Sequence, residues 1–453
     1  MNLHCSVIDA SAARLSTKAH RSQRLRRLAA RLASVGSAAA FGILALLVFN
    51  QATQGITPDV AVWRDFGQDY LLARAFVDGI DPYVPVSVLA ARYLQPVGFL
   101  ARTTPTPHPP SMAILVLPLT WLDYTSAVRA WFVLQAAALL TGVYLLLRSL
   151  GQRWSARLAP PPTLLLFLWP AVGLDIGLGQ STTLLLALLA AAQLALASGR
   201  PRLAGAALGI TMLVKPLAWP WVLVLAGRKT WSALVVAALV TVVGWALPAV
   251  RFGIGPIAGY FMSVLPGMSS TYATEVTNLS WWTIGPRLFE GTSTPVGGVA
   301  PLVGWPPAAH VIGALVPAAA LSLAVEWLPP RQTALGVFTA VALLVNPISW
   351  TYYLVLAVLP AGLVARSLLQ RLRPAYVLIA VASVALLLPG EDELIDFAHR
   401  LSAWSGATDG NLALLPSLIT LAPSLGVAVL AVLVARAAPA GDFLVDSKVS
   451  RAD

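Results

Sequence analysis

Five ionisable residues, far apart in the chain, have the chemistry for proton and phosphate transfer. They are Asp65 and Asp69 in "WRDFGQDYLLARAFVDGIDPY", His108 in "TPTPHPPS", Lys215 in "LVKPLAWPWVLVL" and Arg287 in "TNLSWWTIGPRLF". A carboxylate at the mouth of a cavity can take a proton from a hydroxyl, and a Lys or Arg can hold a phosphate. Each residue also has a structural reading. Asp65 followed by Gln68 fits a capping box, and Leu71, Leu72, Ala75 and Phe76 supply an apolar face that Gly79 ends. The stretch then reads as a helix lying along an outer surface with Asp65 as its cap. The two readings are compatible, because a capping carboxylate is also an oriented one. His108 lies between prolines in a stiff polyproline-type segment, where a histidine is more often incidental than chemical. A proton or phosphate contact is its other reading. Lys215 follows an apolar run and precedes Pro216, as either a snorkelling anchor or a phosphate ligand. The break favours the ligand, since unwound backbone at membrane depth is tolerated only when buried or lining a cavity.

Polar and aromatic side chains extend the set. In "GLDIGLGQSTTLL", Gly177 and Gly179 open space, and Gln180 has the amide to bind a sugar or a phosphate, while Ser181-Thr182-Thr183 equally suits a plain helix start. Asn278 and Ser280 stand beside Arg287 and match a short glycosylation sequon. Trp350, Tyr352 and Tyr353 in "NPISWTYY" suit an aromatic platform for a sugar or an interfacial belt, and composition favours the belt. Phosphate-loop, dinucleotide-binding, zinc-protease and hydrolase signatures are absent. Cys5 is the one cysteine, which excludes disulfides and Cys-based metal sites. Asp65 and Asp69 have the oxygens for Mg²⁺ or Mn²⁺, but two acids four residues apart form no metal signature, so no cofactor is expected.

The elements that position these residues are membrane helices. The chain has 453 residues, 58% hydrophobic and only 11% charged, outside the range of a soluble globular protein. Its apolar runs are continuous rather than alternating, which argues for helices. The net charge of +11 is mostly topology charge rather than a nucleic-acid surface: Arg14, Lys18, Arg21, Arg24, Arg26, Arg27 and Arg31 crowd the first tail and place it in the cytoplasm. The run that follows lacks a cleavage site and reads as a retained helix. Apolar segments at Val35–Phe49, Met112–Leu122, Ala127–Leu147, Pro162–Leu174, Thr182–Ala197, Leu203–Val214, Leu217–Ala226, Ser232–Val250, Ala308–Trp327, Ala334–Val345, Tyr352–Val364, Tyr376–Leu388 and Leu412–Val434 predict an all-α polytopic protein. With Met112–Leu122 re-entrant, about 12 helices cross and both termini are cytoplasmic. The expected division is a basic tail over 1–34, a transmembrane domain over 35–436 and a cytoplasmic tail over 437–453. Outer loops fall at about 51–110, 251–305 and 390–411, and they hold most of the acids and several Trp. No internal repeat is evident.

Taken in order, "RDFGQDYLLARAFVDGIDPY", "HPPSMAILVLPL", "GQSTTLLLALL", "LVKPLAWPWVLVL", "TNLSWWTIGPRL" and "NPISWTYY" resemble glycosyltransferase family 87. These are bacterial multi-pass enzymes of the GT-C type that take sugars such as mannose or arabinofuranose from polyprenyl phosphate. The resemblance runs from about residue 60 to 365. It implies a GT-C-like bundle with juxtamembrane helices on its outer face, in a bacterial inner membrane and working on the extracytoplasmic side. The implied partners are a polyprenyl-phosphate-linked sugar, a glycolipid or glycan acceptor and membrane lipids. The family's catalytic base maps onto Asp65. Asp69 stands where the family often carries an apolar residue and is the second choice. Where the family's Pro-x-Ser-Trp turn continues into a His-containing pair, this chain has Tyr352-Tyr353, which puts a His-dependent relay in doubt. The expected reaction is one inverting displacement, with Asp65 as base and Lys215 and Arg287 as cations. A transporter or flippase of lipid-linked sugars is the alternative, disfavoured because Asp175, Lys215 and Glu326 sit at segment ends rather than mid-helix.

Overall fold

The computed structural model describes residues 31–94, 103–152, 155–273, 275–291, 301, 303–327, 331–370, 373–404 and 414–437. The basic cluster before Arg31, Cys5 and the tail from 438 on lie outside the described residues.

Among the described residues the structure is all helix, without strands. In chain order the principal elements are α1 (Arg31–Gly55), α2 (Phe66–Asp78), α3 (Met112–Trp121), α4 (Tyr124–Ser149), α5 (Ser155–Phe167), α6 (Pro170–Leu178), α7 (Thr182–Ala197) and α8 (Pro201–Val214). They continue as α9 (Trp231–Phe252), α10 (Ile284–Phe289), α11 (Pro306–Glu326), α12 (Arg331–Val345), α13 (Thr351–Gln370), α14 (Pro374–Leu387), α15 (Glu391–Trp404) and α16 (Ala422–Ala437).

Five of these, α1, α4, α9, α11 and α13, are long and apolar enough to cross a membrane, and the number rises to seven if each bent pair counts as one span. Several apolar runs expected to cross are shorter helices of 10–17 residues, α7, α8 and α16 among them, and α3, expected to be re-entrant, is shorter still. At about 1.5 Å per residue, ten residues reach only half of a hydrocarbon layer. Hydropathy counts apolar runs whether or not they are long enough to cross, and among the described residues five to seven of the 12 expected crossings have the length and composition of a span.

The breaks have local causes. α5 and α6 meet at 81° where Trp169-Pro170 interrupts the ladder, since proline lacks the N–H and restricts the residue before it. α14 and α15 meet at 90°, and α15 begins with Glu391, Asp392 and Glu393 at its positive end, so the 390–411 loop is partly helical. The expected outer loop at 251–305 is likewise helical over 254–271 and again in α10. α8 packs on α9 through Gly205 and Gly209, spaced four apart. A Cβ at either would run into the α9 backbone at Ala233 or Ala237, so the backbones approach as small residues allow in membranes. The outward face of α9, with Leu239, Val242, Val243 and Leu247 exposed, is the apolar surface a bilayer covers.

α2 is not a surface helix. Nine of its thirteen residues are buried, Phe66 stacks on Trp131 of α4 at 5.1 Å, and the Tyr70 hydroxyl donates to the Leu122 carbonyl at 3.0 Å. Gln68 and Asp69 therefore point into the protein. Gly79 ends it in the left-handed region, as expected.

Candidate active site

The site is built around the turn between α6 and α7. Gly179 takes φ 73°, and the chain closes through Gly179 N to the Ile176 carbonyl at 3.2 Å and Gln180 N to the Asp175 carbonyl at 2.8 Å. Only glycine suits this position twice over, because a Cβ here would lie 2.7 Å from the Phe66 Cβ at the start of α2. The fully buried Asp175 carboxylate caps α7, accepting from Thr182 N at 3.1 Å and Thr183 N at 3.2 Å. From α4, Trp131 Nε1 donates to the Gly179 carbonyl at 2.8 Å, and Gln135 Nε2 donates to the Gln180 carbonyl at 2.6 Å. A turn held by this many bonds presents its side chain at a fixed point.

That side chain is Gln180, and it joins two charges. Its Nε2 donates to Asp65 Oδ2 at 2.9 Å, and its Oε1 accepts from Lys215 Nζ at 2.5 Å. Asp65 Oδ1 accepts from Gln68 Nε2 at 3.2 Å. An ammonium has only donors and a carboxylate only acceptors, so the amide fits one way round. Lys215 sits at the break between α8 and a short 3₁₀ turn, in extended backbone, and it is 5% exposed. Its Nζ also donates to the Tyr353 hydroxyl at 3.4 Å and lies over the rings of Tyr352 and Tyr353 at 5.5 Å and 5.0 Å. Of the ammonium's three N–H groups, one therefore carries no hydrogen bond among the described residues. The expected break and the expected Lys are both present, and the aromatic pair meets the Lys rather than standing in a belt.

The capping box does not form. Asp65 is in the N-cap position with helical φ/ψ, and its side chain makes no cap bond. The reason is local: Gly67 N and Gln68 N already reach the Arg64 and Asp65 carbonyls at 3.0 Å and 2.9 Å, and the carboxylate is taken by the two side-chain amides. Asp65 is half-buried at the start of α2. One helical turn on, Asp69 is buried and pairs with His108, whose Nδ1 is 2.5 Å from Asp69 Oδ1. The polyproline loop that carries His108 is tied to the same region, as Ser111 Oγ donates to the Leu213 carbonyl at 2.6 Å, two residues before Lys215.

Arg287, Asn278 and Trp350 are not gathered here. Arg287 is fully buried, and its guanidinium is taken up by the protein itself. Nη1 donates to the Ser417 carbonyl at 3.1 Å and Thr420 Oγ1 at 2.9 Å, while Nη2 donates to the carbonyls of Glu275, Val276 and Asn278 at 3.3, 2.8 and 3.0 Å. Both terminal nitrogens are thus spent on the protein, and among the described residues only the buried Nε–H carries no hydrogen bond, so in this structure Arg287 acts as a hub between segments. Asn278 is 0% exposed and makes its full set of bonds: Nδ2 donates to the Tyr272 and Pro347 carbonyls at 3.0 Å each, and Oδ1 accepts from Ser280 N at 3.1 Å and Ser349 N at 2.8 Å. It clips two loops together, which also removes it as a glycosylation acceptor in the folded protein. Trp350 meets Tyr272 edge-on at 5.0 Å and braces the same clip. Among the described residues no three His, Cys, Asp or Glu side chains gather as a metal cluster.

Two participants escape a reading by residue type. Arg64 is buried, burial pushes its guanidinium below its ordinary value, and Nη1 donates to the Ile176 carbonyl at 2.9 Å, tying the entry of α2 to the end of α6. Its adjacency to Asp65 was the available signal. Asp175 builds the Gln180 turn, and its signal was an acid shortly before Ser-Thr-Thr.

Helices that break at buried charges, within an apolar bundle, define a multi-pass membrane protein with a polar interior site. A family model described as Glycosyltransferase family 87 matches residues 107–347, more than half of the chain, and the chain belongs to that family. It is therefore a membrane glycosyltransferase. The matched span contains His108, Gln180, Lys215, Asn278 and Arg287, while Asp65 and Asp69 precede it. No curated protein and no solved structure matches the chain.

Proposed function

We propose that this enzyme moves a sugar, of the mannose or arabinofuranose kind, from polyprenyl phosphate to a glycolipid or glycan acceptor, with Asp65 as general base. The observation that carries the reading is the hydrogen-bonded chain Asp65–Gln180–Lys215, which puts a half-exposed carboxylate and an incompletely bonded ammonium on one amide. A polyprenyl-phosphate sugar is already activated, so the protein has three tasks: align the acceptor, remove its proton and stabilise the departing charge. In the proposed step the acceptor O–H gives its proton to Asp65. Its oxygen bonds to the anomeric carbon as the bond from that carbon to the phosphate oxygen breaks. The electron pair leaves on polyprenyl phosphate, which the third N–H of Lys215 holds. One displacement inverts the anomeric centre. The charge distribution of the sequence supports an extracytoplasmic site in a bacterial inner membrane.

The test is Asp65→Asn in membranes supplied with labelled lipid-linked sugar. Transfer should fall about 10²–10⁴-fold, the span of a lost general base. A variant that transfers at wild-type rate would sink the assignment. A panel of polyprenyl-phosphate sugars given to the purified protein, with product analysis, names the donor.

A further inference from the structure

We infer that Gln180 is a positioning residue that couples the phosphate site to the base, so that the charge at Lys215 sets the orientation of Asp65. The inference rests on the proposed roles of those two residues and concerns the side chain between them. Gln180 is 2% exposed, held by a turn whose carbonyls are fixed from α4, and both ends of its amide are used. It therefore has little room for a ligand of its own. A glutamine whose oxygen faces an ammonium must turn its nitrogen the other way, and here that nitrogen meets Asp65 Oδ2. The positive charge also polarises the amide and strengthens its donation to the carboxylate. If Lys215 loses its place, the amide loses the reason for its orientation, and Asp65 loses one of its two amide donors. Occupation of Lys215 by phosphate and alignment of Asp65 are then linked events, and linkage of this kind is reciprocal.

Gln180→Glu is close to isosteric and separates this role from space filling. At neutral pH its carboxylate pairs with Lys215 but offers Asp65 a like charge. The charged and titratable groups around it are Asp65 from α2, Asp175 from α6, Lys215 after α8, and Tyr352 and Tyr353 from α13. The expected result is a kcat about 10²-fold lower, as misplacement of a reacting group costs, with a smaller rise in donor KM because the new carboxylate partly neutralises Lys215. Activity should recover in part towards acid pH, where a protonated Glu again donates to Asp65 and accepts from Lys215. A merely structural Gln180 predicts neither the split between kcat and KM nor the acid recovery, and a wild-type kcat at neutral pH overturns the inference. Gln180→Asn, which keeps the amide and shortens its reach, is the second variant: loss of kcat with an unchanged Tm supports the coupling, and unchanged kcat refutes it. If Asp65→Asn is inactive while both Gln180 variants behave as wild type, the coupling alone fails. If Asp65→Asn retains activity, the base assignment fails first.

Discussion

Lys215, at a helix break, and Arg287, in the last turn of α10, are both cations nearly sealed from solvent and both candidates for a phosphate, yet the protein treats them differently. Arg287 meets four backbone carbonyls and a hydroxyl, from the 275–278 segment and the end of the helix Leu414–Ile419, which it draws together. Lys215 meets one amide oxygen, one distant hydroxyl and two ring faces. A guanidinium presents five donors in a plane, which suits a ring of carbonyls; an ammonium is a point charge that can keep one donor in reserve. Burial of a cation therefore says little about its use. What separates the two is whether backbone has already consumed the hydrogen bonds.

Paired substitutions break the comparison if it is wrong. Lys215→Met keeps the length of the side chain and removes the charge. Transfer should fall about 10²–10³-fold, as on losing a preorganised contact to a developing charge, while thermal stability moves by no more than about 1 kcal/mol. Arg287→Met should do the reverse. It strands several buried carbonyls, so the detergent-solubilised protein should lose at least about 3 kcal/mol of stability, with turnover per folded molecule nearly intact. Measuring Tm and transfer rate on the same two preparations decides the matter, and an Arg287 variant that folds normally but cannot use donor would return it to the site.

Asn278→Ala sharpens the same contrast at smaller scale. Two of its four bonds, to the Pro347 carbonyl and from Ser349 N, hold the 278–280 segment to the 347–349 turn that leads into Tyr352-Tyr353, and the other two fix its own loop at Tyr272 and Ser280. Stability should drop by about 1–3 kcal/mol, because partners are left buried and unpaired. Any loss of activity should follow the loss of folded protein rather than a change in donor KM. A large KM effect with normal Tm would mean that Asn278 touches substrate.

How far these assignments could be read in advance depended on how local each signal was. Lys-Pro after an apolar run announces a broken helix with a charge at the break, and Gly-Gln-Ser-Thr announces a turn and a helix start; both are present. The capping box at Asp65 and Gln68 looked equally local and did not form, because a residue 115 positions away claims the carboxylate. Asp69 and His108, 39 positions apart, were weighed separately and turn out to be one pair. Arg287 bonds Ser417 and Thr420 over separations of 130 and 133 residues, and no spacing rule reports that its two terminal nitrogens are already spent. Helix count is less local still: five to seven spans among the described residues meet the length and composition of a crossing, and the depth reached by the shorter apolar helices is set by their neighbours and not by their composition.

The smallest expected effect lies at the other end of α2. Asp78 accepts from the Tyr93 hydroxyl at 2.7 Å and from Arg92 Nη2 at 3.2 Å, and it ties the helix Val86–Tyr93 to α2. The Tyr93 hydrogen bond foremost, with help from Arg92, holds this carboxyl below its ordinary value. A carboxyl more acidic in the folded state than in the unfolded one stabilises the fold above the unfolded value, and that contribution is lost as pH falls through the folded one. Acidification from neutral pH should therefore loosen this tie only below the ordinary carboxylate range, seen as faster hydrogen exchange over Val86–Tyr93. Asp78→Asn should show the faster exchange already at neutral pH, with transfer activity unaltered, since this carboxylate is exposed to solvent and Asp65 is held by amides of its own. If exchange in that helix is indifferent to both pH and the substitution, the Asp78–Tyr93 bond does not secure it. The two ends of α2 then differ in accessibility alone.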